Sequence, residues 1–204
     1  MDNKDKFSLL HLDVLREIGT IGSARAATAL SEILNCKVEI SLPEAKLVPL
    51  ESLDKALDNP EKVYFVLDTA LEGELEGRLF FLLLPQEAKI LGETLLGRAL
   101  REEDLSDELF RSSLKEIVNI LAGSYMNALS DLTGLIIMYS VPSLGIDMIN
   151  ALLDFFFIHM AQESEEVILI KTHLKVQDRN LKGMLLFFLY WDSLRKLAEK
   201  LKIK

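Results

Sequence analysis

Cys36 is the only cysteine among 204 residues, so an intrachain disulfide and any Cys-x-x-Cys redox or zinc arrangement are excluded. A buried structural thiol is the expectation for it. His11, His159 and His173 are widely separated and none has a second ligand-type residue at metal-site spacing, so no metal centre held by this chain is expected. Basic residues are also scarce, 23 Lys and Arg against 32 Asp and Glu, for a formal charge of −9. Nucleic acid and anionic membranes both need clustered cations, and neither is expected as a partner. Long hydrophobic runs are missing as well: the apolar stretches around Phe155 and Leu185 fall short of the roughly 18 to 20 residues of a membrane span. The charged start, Met1 to Lys6, has no secretory apolar stretch. These absences predict a soluble cytoplasmic protein without membrane insertion. Gly19-Thr-Ile-Gly22 lacks the Gly-Lys-Ser/Thr ending of a phosphate loop and sits inside a helical pattern, which argues against nucleotide binding.

What the chain does have is apolar residues, half of its length, and one pattern twice. Glu17-x-x-Thr20 is followed by Pro43, and Glu116-x-x-Asn119 by Pro142; glutamates and prolines alike are 99 residues apart. An equal offset at two separated landmarks marks a duplicated half. Asp13 and Ser112 stand four residues before the glutamates. Positions i, i+4 and i+7 share a helix face, so each half presents a polar stripe on an otherwise apolar helix.

Periodicity predicts a helix from Leu9 to about Leu34, a strand over Lys37 to Leu42 ended by Pro43, a helical patch near Ser52 to Leu57 and a turn at Asn59-Pro60. Strands over Lys62 to Leu71 and Arg78 to Leu84 follow, then a helix opened by Pro85 and running to about Leu96. In the second half Ser106 is the expected N-cap of a helix from Asp107 to about Leu132, with Gly134 beyond its end and a strand from Leu135 to Val141 before Pro142. The acidic run Glu102 to Glu108 suits the positive end of that helix dipole. Gly183 to Tyr190 repeats Gly77 to Leu84, with a helix near Ser193 to Leu201, and the extra length of the second half is assigned to a helical insertion over Asp147 to Met160. Phe155-Phe156-Phe157 is expected to be core. With about three apolar strands apiece, neither half can bury its sheet alone. The expected fold is therefore α+β, two layers: one domain over 1–204 built from homologous halves, about 8–97 and 105–204. In it two long helices lie side by side on one face of a shared, largely antiparallel sheet, with their polar stripes outward.

The pattern Asp/Ser-x-x-x-Glu-x-x-Asn with a proline 23 positions after the asparagine resembles the signature of the CheC/CheX/FliY family of response-regulator phosphatases from chemotaxis. Ser112, Glu116, Asn119 and Pro142 match it completely; Asp13, Glu17, Thr20 and Pro43 match except that threonine replaces asparagine. Two motif-bearing halves and no C-terminal extension favour the CheC branch. The resemblance implies hydrolysis of the aspartyl phosphate on phosphorylated CheY. It also implies a second partner, the receptor deamidase CheD: Gly145 to Ala151 looks like the helix on which that protein docks, with Asp147 its most exposed polar candidate. Under an alternative reading, CheD binding is the main role and phosphatase activity is weak.

An acyl phosphate is already reactive, so the chemistry chiefly needs a water held in line with phosphorus. The Asn119 carboxamide can accept a hydrogen bond from water and donate another without carrying charge. Glu116 is suited to pair with a lysine near the regulator's phosphorylation site, as a docking group rather than a general base. The regulator is expected to bring the Mg2+ ion and the leaving carboxylate, and no cofactor is expected on this chain. Thr20, short and β-branched, does not offer the reach of a carboxamide, and the first site is expected to be weak or silent, with Asp13 and Glu17 retained for docking. The blander reading of Thr20 is a hydroxyl bonded to a backbone carbonyl one turn back. A third function, general acid-base hydrolysis by Asp13/Glu17 and Glu116, would need carboxylates flanking one small substrate.

Overall fold

The computed structural model describes residues 9–41, 44–49, 52–56, 61–148, 151 and 166–201. The first half supplies helix α1 (Leu9–Leu34), strands β1 (Val38–Ile40) and β2 (Glu44–Pro49), the short α2 (Leu53–Ala56), a hairpin of β3 (Val63–Gly73) and β4 (Gly77–Leu83), and α3 (Pro85–Leu96). After a 3-10 helix at Glu102–Ser106, the second half repeats the order with α4 (Glu108–Thr133), β5 (Ile137–Tyr139), β6 (Ser143–Met148), β7 (Glu166–Val176), β8 (Arg179–Leu189) and α5 (Trp191–Lys200). The apolar faces and small residues of α1 and α4 sustain two helices of 26 residues each.

All recorded strand pairings are antiparallel, in the order β1-β7-β8-β4-β3-β5, with β2 also beside β7 and β6 also beside β3. Exchanging β1 with β5, β2 with β6, β3 with β7 and β4 with β8 reverses this order and leaves it unchanged. The register obeys the same exchange: Val38 faces Val176 as Ile137 faces Gly73, and Glu44 faces Lys171 as Ser143 faces Asp68. Each half thus lends its first two strands to the hairpin of the other. The central pair, β4 and β8, is antiparallel, so the pseudo-twofold axis stands normal to the sheet. An axis so placed keeps α1 and α4 on one face and runs them in opposite directions.

Between those helices and the sheet lies the larger core, with Leu30, Leu67, Phe110, Leu114, Ile117 and Leu185 among its buried members. The helices approach closely because Gly22 has no side chain: a Cβ there would stand 3.1 Å from the Tyr125 Cα. Ser23 and Tyr125 share a buried hydroxyl hydrogen bond of 2.8 Å at the same crossing, and burial pushes the Tyr125 phenol up. A smaller core on the other face of the sheet includes Leu53, Tyr64, Phe80 and Phe188.

Four expectations are corrected. Gly145 to Met148 is not helical: it belongs to β6, paired with β3 from Val63↔Met148 to Asp68↔Ser143. This removes the helical start of the insertion assigned to Asp147–Met160, and with it the helical CheD-docking surface around Asp147. That residue is exposed on a strand, its carboxylate accepting from the Met148 N–H at 2.8 Å. Ser106 closes the 3-10 helix, and Asp107 is the N-cap of α4 without a side-chain cap bond. The acidic run is itself structured, the Asp104 carboxylate accepting from the Arg101 N–H at 2.8 Å. Cys36 is half-buried against the core rather than sealed in it. Pro43, the Asn59-Pro60 turn, Phe155–Phe157 and His159 lie outside the described residues.

Candidate functional site

Along α4 the residues Leu114, Ile117, Val118 and Leu121 are buried, which fixes the rotation of the helix about its axis. On the other side Ser112 and Glu116 are exposed, and Asn119 is half-buried at the margin between solvent and fold. The carboxamide is therefore not sealed inside, and among the described residues neither it nor the Glu116 carboxylate is engaged by another side chain. The helix ends at Gly134, whose N–H donates to the Ser130 carbonyl at 2.8 Å and whose left-handed backbone (φ 72°) then turns the chain away.

The β5–β6 segment rises beside this face and is tied to α4 on both sides of Asn119. Eight residues before it, the Arg111 guanidinium donates to the Leu144 carbonyl at 3.0 Å. Four residues after it, Tyr139 lies over Gly123, its hydroxyl oxygen 2.6 Å from where a Cβ of Gly123 would be. Pro142, buried between β5 and β6, sits in this rising segment. Its ring cannot donate to a ladder, which suits the break between the two strands that both pair with β3. Next to it Ser140 is fastened to Ala70 by bonds of 2.9 and 3.0 Å, and Val141 is 83 % exposed.

In the first copy Glu17 and Thr20 are exposed on α1, and Asp13 lies on the same helix. The Thr20 hydroxyl donates to the Arg16 carbonyl at 2.8 Å, the backbone engagement one turn back that the bland reading of this residue required. Its one hydrogen is thereby committed. The contact of Gly22 with Tyr125 and its twofold image put the helix crossing near Ala24 and Gly123. Glu17 and Glu116 each precede it by seven residues in opposite directions, so they stand about 20 Å apart along the helix axes at 1.5 Å per residue. Paired carboxylates acting on one small substrate are about 5 to 10 Å apart. The two stripes form separate surfaces, not one cleft.

Among the described residues no cluster of His, Cys, Asp and Glu is arranged to hold a metal ion, and no helix is long and apolar enough to cross a membrane. Sequence reasoning missed Arg111, Gly123 and Tyr139. The last two were visible only as mismatches between the copies, which place Ala24 and Ile40 at the corresponding positions.

A duplicated α/β chain with a swapped antiparallel sheet and a Glu-x-x-Asn stripe on an outer helix defines a class, and the chain belongs to the CheC-like family, whose profile matches residues 10–47 and 111–146. The matched segments are α1 to β2 and α4 to β6, the elements that carry and flank both stripes. Over 190 residues the chain is 33 % identical to the CheY-P phosphatase CheC of Bacillus subtilis, covering 91 % of each protein. It is 28 % identical over 127 residues to the flagellar motor switch phosphatase FliY of the same organism, spanning 62 % of this chain and 33 % of that one. The crystal structure of Thermotoga maritima FliY shares the fold, with a TM-score of 0.76 at 20 % identity over 95 % of this chain and 96 % of that one.

Proposed function

We propose that this protein hydrolyses the aspartyl phosphate of phosphorylated CheY, with Asn119 orienting the attacking water and Glu116 holding the regulator in place. The observation that carries this reading is the pairing of an exposed carboxylate and a half-buried, unengaged carboxamide on one face of α4, in a chain of the CheC-like family. Water adds to phosphorus as the bond to the regulator's aspartate breaks; the carboxylate leaves and inorganic phosphate is released. Nothing on this chain needs to become covalently attached. The regulator brings the Mg2+ ion, and this chain supplies geometry and one charge-assisted contact. A hundredfold acceleration corresponds to about 2.7 kcal/mol, within reach of a positioned water and an ion pair.

The stripe on α1 is a degenerate copy. Glu17 keeps the docking charge, but the Thr20 hydroxyl is occupied by its own helix, so this face binds without turning over. Pro142 shapes the segment beside the α4 stripe, which Ser112 borders, and Asp13 stands at the corresponding helix position on α1. CheD is a second proposed partner, with Asp147, exposed on β6, as its contact residue, and mixing the purified proteins tests it: no association removes that partner. The phosphatase reading is tested by phosphate release from phosphorylated CheY at matched Mg2+. Acceleration of at least tenfold by this protein is expected, with none on a generic phosphate ester; equal rates with and without the protein would overturn the reading.

A further inference from the structure

The two copies differ together at three neighbouring places, two of them in contact and the third one helical turn away. Where the second half has Asn119, Gly123 and Tyr139, the first has Thr20, Ala24 and Ile40, each 99 residues earlier. Glycine inside a helix costs about 1 kcal/mol relative to alanine, so its presence at the centre of α4 calls for a reason. Tyr139 provides one. Gly123 is buried although it lies on the same side of the helix as Ser112 and Glu116, because the phenol covers it. The Tyr139 ring packs against the core, and its hydroxyl ends beside the outer face of α4 with no hydrogen-bond partner among the described residues.

Resting on the phosphatase reading, we infer that Tyr139 is a further positioning residue of the α4 site, its phenol oxygen accepting the second O–H of the water that Asn119 holds by the first. A water bound by one acceptor still rotates about that hydrogen bond. A second acceptor fixes the plane of the molecule and leaves a lone pair facing the phosphorus, which is the orientation an in-line attack requires. The spacing suits this. Residues four apart on a helix have Cβ positions about 5 to 6 Å apart, so the phenol oxygen over Gly123 is one turn from the Asn119 side chain. Two acceptors sharing one water at ordinary hydrogen-bond lengths stand about 4 to 5 Å apart. In the first copy all three parts are missing, which accounts for its silence more fully than Thr20 alone.

Tyr139→Phe keeps the ring and removes only the hydroxyl, while Gly123→Ala pushes the phenol away from the site. With phosphorylated CheY at saturation, each variant is expected to lower kcat about tenfold with KM within twofold of wild type. Thermal stability should be unchanged for Tyr139→Phe and not reduced for Gly123→Ala. A kcat for Tyr139→Phe within twofold of wild type, with Asn119→Ala lowered about a hundredfold, would overturn the role of Tyr139 and leave the phosphatase reading standing; so would a raised KM at unchanged kcat. A wild-type protein that releases no phosphate would overturn both.

Discussion

The α1 and α4 stripes descend from one pattern and have come to differ in how their polar groups are used. On α4 the glutamate is exposed, the asparagine is unengaged at the fold margin, and the β5–β6 segment is anchored to the helix on either side of it. On α1 the glutamate is equally exposed, but the residue one turn on spends its hydroxyl on the Arg16 carbonyl. Duplication preserves the scaffold at the level of register, down to matching strand partners, while the polar groups of the two stripes differ in what engages them. A charge on a helix surface is easily retained, whereas a held water needs several groups in agreement.

After the carboxamide itself, the largest expected effect that sharpens this contrast comes from the glutamates. Glu116→Gln removes a charge-assisted contact of about 1.5 to 3 kcal/mol and should lower kcat/KM on phosphorylated CheY by roughly tenfold or more, mainly through KM. Glu17→Gln should change it by less than about twofold; equal losses would mean that both faces turn over. Next comes rebuilding the α1 copy in an Asn119→Ala background. Thr20→Asn alone should recover little phosphate release, and Thr20→Asn with Ala24→Gly and Ile40→Tyr should recover about tenfold more; full recovery from the single change would show that the carboxamide suffices. The glycines near the crossing give a contrast in stability. Gly22→Ala meets the Tyr125 backbone and should cost about 1 to 3 kcal/mol in denaturant unfolding, whereas Gly123→Ala meets only the hydroxyl end of the Tyr139 side chain. The smallest effect concerns the ion pair that bridges the two helices, Arg25 to Asp131 at 2.7 Å and largely exposed. Arg25→Ala should alter stability by no more than about 0.5 kcal/mol, because solvent screens such pairs.

Much of this molecule was legible in its sequence where a signal is local. Both long helices declared themselves by apolar spacing over 26 residues, and the β3–β4 hairpin and α3 by their strand runs and Pro85. The stripe containing Glu116 and Asn119 stood out because a spaced duplicate exists. The strands β2 and β6 did not stand out. Gly145 and Asp147 are poor strand formers, most of β6 is exposed, and its conformation is imposed by pairing with β3 about 80 residues earlier in the chain. The exchange of strands between halves was equally hidden, since no local pattern says which hairpin a strand will join. Tyr139 escaped notice for the opposite reason to Glu116: its signal is a difference between copies, and only the contact with Gly123 gives that difference a meaning.

The most direct test of the whole account sets Asn119→Ala beside Thr20→Ala and measures phosphate release from phosphorylated CheY at matched Mg2+. The asymmetry described above predicts a loss of about a hundredfold, some 2.7 kcal/mol, for Asn119→Ala and a rate within twofold of wild type for Thr20→Ala. A greater loss from Thr20→Ala would contradict it, placing the working face on α1.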